Sequence, residues 1–592
     1  MYVKNKIVVY QVFTRLFGNK NTNNKPWGTI EENGVGKFKD FTSKALKEIK
    51  DLGVTYIWYT GVPHHALIRD YTSIGISNDN PEVVKGRAGS PYAVKDYYNV
   101  NPDLAVNPAK RLEEFEALIS RTHNVGMKVI IDIVPNHVAR KYKGITNPKG
   151  VQDFGADDDV SVEYNRDNNF YYIPNCSFEL PDIDLPLNGE FNPNIHGKFE
   201  EYPTKWTGNG SRMAKPDPND WYETVKVNYG IRPDGSKDFY ELPWGYENKS
   251  FQEHFDFWQD KSVPNSWVKF MDIALYWTAK GVDGFRYDMA ELVPFEFWSY
   301  INSAIKVANP DAFLMAEVYN PYEYRNYLRL GKMDYLYDKV GTYDKLKDVI
   351  QGRSWPDELS SIRRELEDIE HQMLNFLDNH DEQRLTSPEF AGTLEKGKPL
   401  MVVSTTISTS PTMIYFGQEV GESANENAGF GTHSRTSIFD YVGVPSHQRW
   451  MNEGKFDGGQ LSVHEKSLRD FYKRLLNFTI NSSALMGNFQ EIQSANRNIS
   501  SGYDIAIYSY VRWSNAQKLI IVTNFYWLAT SNFELIIPTD IIKKWNLNDG
   551  EYILTDQLYR INKVLMRVEN GEGRVQIVIG PSESFIYELS KI

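Results

Sequence analysis

Four stretches of the chain place carboxyl, imidazole or guanidinium groups where an apolar run has just ended. Asp288 closes GVDGFRYD, and Arg286, two residues earlier on an extended segment, faces the same side. A guanidinium beside that carboxylate would hold it ionised and oriented, as a nucleophile requires. Glu317 ends the run AFLMAE, where a carboxyl leaving an apolar strand is suited to act as a general acid. After NFLDNH the chain gathers Asp378, Asn379, His380 and Asp381, and upstream IIDIVPNHV sets Asp132, Asn136 and His137 behind a further run. Taken singly, Asp288 reads equally well as part of a structural ion pair and Asp381 as part of a turn, while Glu317 reads better as a helix cap or solvated acid and a lone histidine as a packed or solvent-facing one. Together they form a set suited to cleaving a glycosidic bond, in which one carboxylate attacks the anomeric carbon and another protonates the leaving oxygen. No Ser-His-Asp elbow, phosphate-binding loop or HExxH competes for that role.

Such a set needs a scaffold that brings several strand ends to one place. Short apolar runs recur at Ile7 to Phe13, Tyr56 to Thr60, Val129 to Val134, Gly284 to Arg286, Phe313 to Glu317, Tyr335 to Tyr337, Met373 to Leu377 and Thr412 to Phe416. Helical spacing of apolar residues at Phe41 to Leu52, Leu112 to Asn124, Trp267 to Lys280 and Leu359 to His371 alternates with them, with Gly53 and Gly126 as stops. Eight strands alternating with helices predict an α/β fold, a (β/α)8 TIM barrel whose active site lies at the C-terminal ends of the strands. The gap between the third and fourth runs is far too long for an ordinary loop, so an inserted subdomain is expected there. Beyond about residue 486, short alternating strands with turn signals predict an antiparallel β-sandwich. The expected organisation is a barrel of residues 1–137 and 251–485, an insert of 138–250 and a C-terminal sandwich of 486–592.

Composition narrows the partners. Formal charge is −13, which repels phosphate backbones and argues against nucleic acid, while a neutral ligand is unaffected. Cys176 is the only cysteine, so neither an internal disulfide nor a thiolate metal cluster can form. No segment approaches the length of a membrane span. The N-terminal MYVKNKIVVYQVF lacks the features of a signal peptide, so the reading is cytoplasmic, or periplasmic or secreted if the N-terminus has been trimmed. Aromatic content is high, at 14%. Tyr92, Tyr97, Trp206, Trp221, Tyr222, Tyr287 and Tyr319 fall near the expected cleft, where flat rings suit stacking on sugars. Trp513 and Tyr552 in the terminal sheet are expected to pack.

At these residues the chain resembles the α-amylase family, glycoside hydrolase family 13. Its four short regions are matched in order by DIVPNH at Asp132 to His137, GFRYD at Gly284 to Asp288, AEVY at Ala316 to Tyr319 and FLDNHD at Phe376 to Asp381. The likeness extends to VYQVFTRLF, LGVTYIWYTGV, SPYAVKDYYNVNP and PTMIYFGQEVG, and so covers the barrel. It implies Asp288 as nucleophile, Glu317 as general acid/base and Asp381 as transition-state stabiliser. Arg286 would support the nucleophile, and Tyr92, Asp132, His137 and His380 would hold the sugar preceding the cut. The implied mechanism retains anomeric configuration, for which the two reacting carboxyls lie about 5 to 5.5 Å apart. No cofactor is needed for that chemistry.

Where the family often has a Lys-His pair after the nucleophile, this chain has Met289, Ala290, Glu291 and Leu292. The family's structural calcium site near Asn136 is therefore in question. A second weak candidate for calcium is the loop GNKNTNN, with Asn19, Asn21 and Asn23, although an Asn-rich turn reads more simply. Leu180 to Asp184 resembles the family's fifth region. The expected activity is hydrolysis of α-1,4 bonds in starch-derived glucans or maltooligosaccharides. A glucanotransferase or trehalose-forming enzyme on the same scaffold is the alternative, and a silent sugar-binding relative a remote one. Oligomeric state does not follow from the sequence.

Overall fold

The structure, a computed structural model, describes residues 5–183, 187, 189, 197–560 and 562–591. Asp184 of the fifth-region match lies outside them. Eight parallel strands close into a barrel: β1 Val8–Phe13, β2 Tyr56–Thr60, β3 Lys128–Ile133, β4 Gly284–Tyr287, β5 Phe313–Ala316, β6 Tyr335–Tyr337, β7 Met373–Phe376 and β8 Thr412–Tyr415. Closure is made by β1, which pairs with β2 through Val9↔Tyr56 and with β8 through Val8↔Thr412. The strands are buried on both faces, which is why they read as unbroken apolar runs instead of alternating ones.

Helices occupy the spacings expected of them, with one difference. The helix Ser43–Lys50 is capped by the Thr42 side chain, which accepts from the Ala45 amide, and the chain reverses at Gly53, whose φ of +100° is costly for any other residue. Helix Arg111–Asn124 runs to a similar reversal at Gly126. The pattern expected to run from Leu359 to His371 instead gives a helix over Asp357–Glu365 and a separate short turn at Glu370–Gln372. Between them Asp368 is drawn out by ion pairs to Arg325 and Arg329.

Between β3 and β4 the inserted segment carries two small ribbons, His137–Ala139 paired with Thr224–Lys226 and Tyr172–Ile173 paired with Thr204–Lys205. The first ribbon starts at His137, the last residue of the DIVPNH stretch that follows β3, so the insert is anchored at the barrel's mouth. From Asn488 to Lys591 eight strands form a single sheet. It folds over so that Ile507 and Val511 near one edge share a core with Phe533, Leu535 and Ile537 at the other, a sandwich made from one ladder. Its other face, through Tyr508, Tyr510, Leu519 and Ile521, packs into the barrel's core. Among the described residues no helix is long and apolar enough to cross a membrane.

Candidate active site

The barrel brings the separated motifs to one mouth. Arg286, fully buried on β4, donates from Nη1 to Asp288 Oδ1 at 2.8 Å and from Nη2 to Glu317 Oε2 at 2.9 Å. The same guanidinium lies 3.5 Å from Asp132 and 4.0 Å from Asp381. Register explains the gathering, because Arg286 sits beside Asp132 on β3 and Met315 on β5, which puts Glu317 at the next inward position. Four carboxyl groups around one cation cannot all be ionised. Burial drives Asp288 well above its ordinary range, opposed by Arg286 and reinforced by the charges of Glu317 and Asp381. Burial also raises Asp132. Asp381, the most exposed of the three candidate catalytic acids, goes the other way: burial pushes it up, but His380 at 3.0 Å and Arg286 outweigh this and hold it low. The cluster is thus built to carry a proton among like groups.

Glu317 is held from three directions. Tyr319 donates its hydroxyl to Oε1 at 2.5 Å, and the Met289 amide donates to Oε2 at 3.0 Å. Met289 has left-handed backbone, φ +45°, which costs about 1 kcal/mol or more. That strain points its N–H at the acid. Glu291 accepts the amides of Tyr319 and Asn320, each at 2.9 Å, and so fixes the segment after Glu317. The tetrad that departs from the family's Lys-His pair therefore positions the acid.

On the facing wall, Tyr92 bonds His380 through its hydroxyl and lies stacked on that ring, with centroids 5.4 Å apart. Gln11 lies 2.8 Å from the other ring nitrogen of His380, and Trp58 donates to Asp132 at 2.9 Å. His137 lies edge-on to Trp221, and burial, aided by Lys226 and Lys85, pulls it down to about 3, so it works as a neutral hydrogen-bonding ring. These groups surround a pocket of about 220 Å³ that Asp288, Glu317, Asp381, Tyr92, His137 and Trp221 line together with Phe439.

Several residues in or behind the pocket carried no signal in the sequence. Tyr337 lies within 3.3 Å of Arg286 Nε, and Gln11 and Trp58 support His380 and Asp132 from inside apolar strands. Phe439 arrives on the loop after β8, outside any motif. Other expectations fail. Tyr97, Tyr222 and Tyr287 are fully buried, and Trp206 is stacked on Tyr171, so these four rings pack and do not face a sugar. Only Tyr92, Trp221 and Tyr319 of that group reach the site. Asp378 is equally withdrawn, 3.6 Å from Arg384, and burial pushes it up to about 7.

Neither calcium candidate fits a metal. The Lys226 ammonium occupies Asn136 Oδ1, the oxygen a cation would need, and Asn136 Nδ2 donates to Gly208 O at 2.9 Å. A divalent ion there would meet a half-buried like charge. In the loop, Asn19 Oδ1 and Asn21 Oδ1 accept the amides two residues on, and the side-chain amides of Asn21 and Asn23 donate to Glu32 O, which is a stapled turn. No group of three or more His, Cys, Asp or Glu suited to a metal occurs among the described residues.

Comparison with known proteins agrees with the geometry. Residues 11–449 match the family model described as alpha amylase, catalytic domain. Alpha-amylase 3 of Dictyoglomus thermophilum is 23% identical over 515 residues, covering 83% of this chain and 81% of that protein. Neopullulanase 2 of Thermoactinomyces vulgaris is 23% identical over 434 residues, or 70% of this chain and 56% of its own length. In fold the chain is similar to a maltogenic alpha-amylase from Thermotoga neapolitana, with TM-score 0.59 at 18% identity over the whole of both chains. With the family model spanning most of the chain and the acids gathered at the strand ends of a closed barrel, this protein belongs to the alpha-amylase family of glycoside hydrolases.

Proposed function

We propose that the protein hydrolyses α-1,4-glucosidic bonds in starch-derived glucans or maltooligosaccharides with retention of configuration. The observation that carries this reading is the single buried Arg286 that holds Asp288 and Glu317 on its two terminal nitrogens. In the proposed reaction the proton that the crowded cluster holds sits on Glu317, so that Asp288, paired with Arg286 Nη1, is ionised and its Oδ attacks the anomeric carbon as Glu317 protonates the departing oxygen. Glu317 must then carry its proton on a carboxyl oxygen, and the Tyr319 hydroxyl, able to accept as well as donate, tolerates that state. Asp381, kept ionised by His380 and Arg286, stabilises the positive charge that develops on the sugar. In the second half, Glu317 takes a proton from water as the water oxygen bonds to the anomeric carbon and the bond from that carbon to Asp288 Oδ breaks, which frees the sugar and regenerates both carboxyls. Tyr92 and the neutral ring of His137 hold the sugar preceding the cut, with His380 and Asp132 bonded behind them.

No metal has a part in this scheme. Lys226 supplies the positive charge at Asn136, and incubation with EDTA is expected to leave both rate and thermal midpoint unchanged. Product analysis with maltoheptaose tests the activity: short maltooligosaccharides of retained configuration are expected from the first minutes. Early products longer than the substrate would assign the intermediate to sugar acceptors instead of water.

A further inference from the structure

Outside the catalytic pocket the protein leaves in water a set of rings that the fold does not use. Between strands Lys518–Asn524 and Ser531–Ile537 the chain turns through Phe525, Tyr526, Trp527 and Leu528, where turns favour Gly, Asn, Asp or Ser. Tyr526 is 41% exposed, Trp527 47% and Leu528 61%. Consecutive exposed apolar residues work against solubility unless they have a use. From the barrel, the segment between β6 and β7 contributes Trp355, 54% exposed. Trp355, Tyr526 and Trp527 line one cavity of about 840 Å³ with Gln351, Arg353 and Glu389. It lies at the junction of barrel and sheet, a preferred setting for ligands, and shares no lining residue with the catalytic pocket.

The charges on its wall select the ligand. Arg353 is paired with Asp348 at 2.6 Å, the Lys396 ammonium lies 3.7 Å over the Trp527 ring, and Glu389 accepts from the Ser434 hydroxyl. The cations are thus already engaged, and the chain carries −13 overall, which disfavours an anion. The Gln351 amide is likewise bonded, to Glu389 O, Phe390 O and Arg353, so what remains on offer is flat aromatic surface beside the Glu389 carboxylate. That combination suits a neutral ring with apolar C–H faces and a hydroxyl rim. Lys396 covers one face of Trp527 and holds the indole in place, so less side-chain freedom is lost on binding.

We propose that this cleft is a second α-glucan-binding site, which holds a strand of the polymer by stacking on Trp355 and Trp527 while cleavage proceeds at Asp288. The proposal rests on the reading of the protein as a glucan-acting enzyme. The full-length protein and its Trp355→Ala/Trp527→Ala double variant are to be run in native gels with and without soluble starch, and each assayed on maltotriose. The double variant is expected to lose starch retardation, corresponding to at least about tenfold weaker binding, while kcat/KM on maltotriose changes less than about twofold. A milder Tyr526→Ser variant is expected to fall between them. Unchanged retardation overturns the proposal, as does a loss shared equally by maltotriose turnover. So does sedimentation showing that the substitutions abolish self-association, which would make the occupant a second copy. A wild-type protein that is retarded by starch but cuts no maltotriose would sink the proposed activity and leave this site standing, because retardation needs no turnover.

Discussion

Arg286 and Arg512 are both fully buried, yet the two ends of the barrel treat them in opposite ways. At the mouth, Arg286 faces carboxylates, with Asp288 and Glu317 on its terminal nitrogens. At the other end, Arg512 reaches from the C-terminal sheet to the segment before β8 and donates only to backbone carbonyls, those of Thr406, Ile407, Leu485 and Gly487. Burial, with Arg363 nearby, pulls Arg512 down to about 9, still charged at neutral pH. Carbonyl dipoles neutralise a cation without titrating, so Arg512 joins two domains and stores no chemistry. Carboxyl groups, unlike carbonyls, can give up and take a proton, which is what the acid/base step of the proposed reaction requires. Residue type and burial are the same; the partners decide between a staple and a reaction centre.

The contrast breaks first at Asp288. Replacing it by Asn is expected to lower turnover by about 10⁴-fold or more, since the attacking oxygen is lost, while the thermal midpoint does not fall because a crowded charge is removed. Stopped assays beside calorimetry check both halves. Arg286→Lys comes next: a point charge cannot hold two carboxylates in a fork, and kcat is expected to drop about 10²- to 10³-fold. Full activity in that variant would end the idea that one guanidinium organises the acids. At the opposite end, Arg512→Met is expected to destabilise by about 2–4 kcal/mol in urea titration, since it orphans buried carbonyls. Its kcat at 25 °C is expected to equal that of the parent, and a lowered kcat with unchanged stability would erase the contrast.

The smallest effect concerns charge that the fold refuses. Burial pulls His447 down to about 3, opposed by its bond to Phe17 O. The unfolded chain takes that proton near pH 6.5, so this contribution to stability is complete above about 6.5 and is lost as pH falls toward 3. Between pH 7 and 5 the midpoint is expected to fall, and His447→Gln to make the slope shallower by up to about 1.4 kcal/mol per pH unit. An identical slope in the variant would show that His447 already titrates in the folded protein.

What was legible in the sequence follows from how each element is buried. Barrel strands announce themselves because both faces are covered, and their acids stand out as the first polar residues after an apolar run. The sheet strands Asn488–Glu491, Gly550–Asp556 and Ser584–Lys591 did not, because short or charge-bearing strands resemble loops. Tyr287 and Tyr97 looked like sugar platforms by position in the chain, but Tyr287 points away from its neighbours Arg286 and Asp288 on the strand, and Tyr97 donates to Val134 O behind the site. Lys226 was invisible for another reason: only the pairing of His137 with Lys226 across the insert brings its ammonium to Asn136.

Closure of the barrel has a consequence for how the protein is made. Lys6 donates to Ser408 O at 2.8 Å across 402 residues of sequence, and β1 finds its second neighbour only in β8. At about 5–20 residues per second on the ribosome, the first strand therefore waits roughly 20–80 s for its partner. Throughout that interval VVYQVF is an apolar strand with an unpaired edge, and a chain released before Thr412 has an open sheet where the finished enzyme has none. Until Thr412 is made, the chain thus carries an aggregation-prone edge that the closed barrel removes.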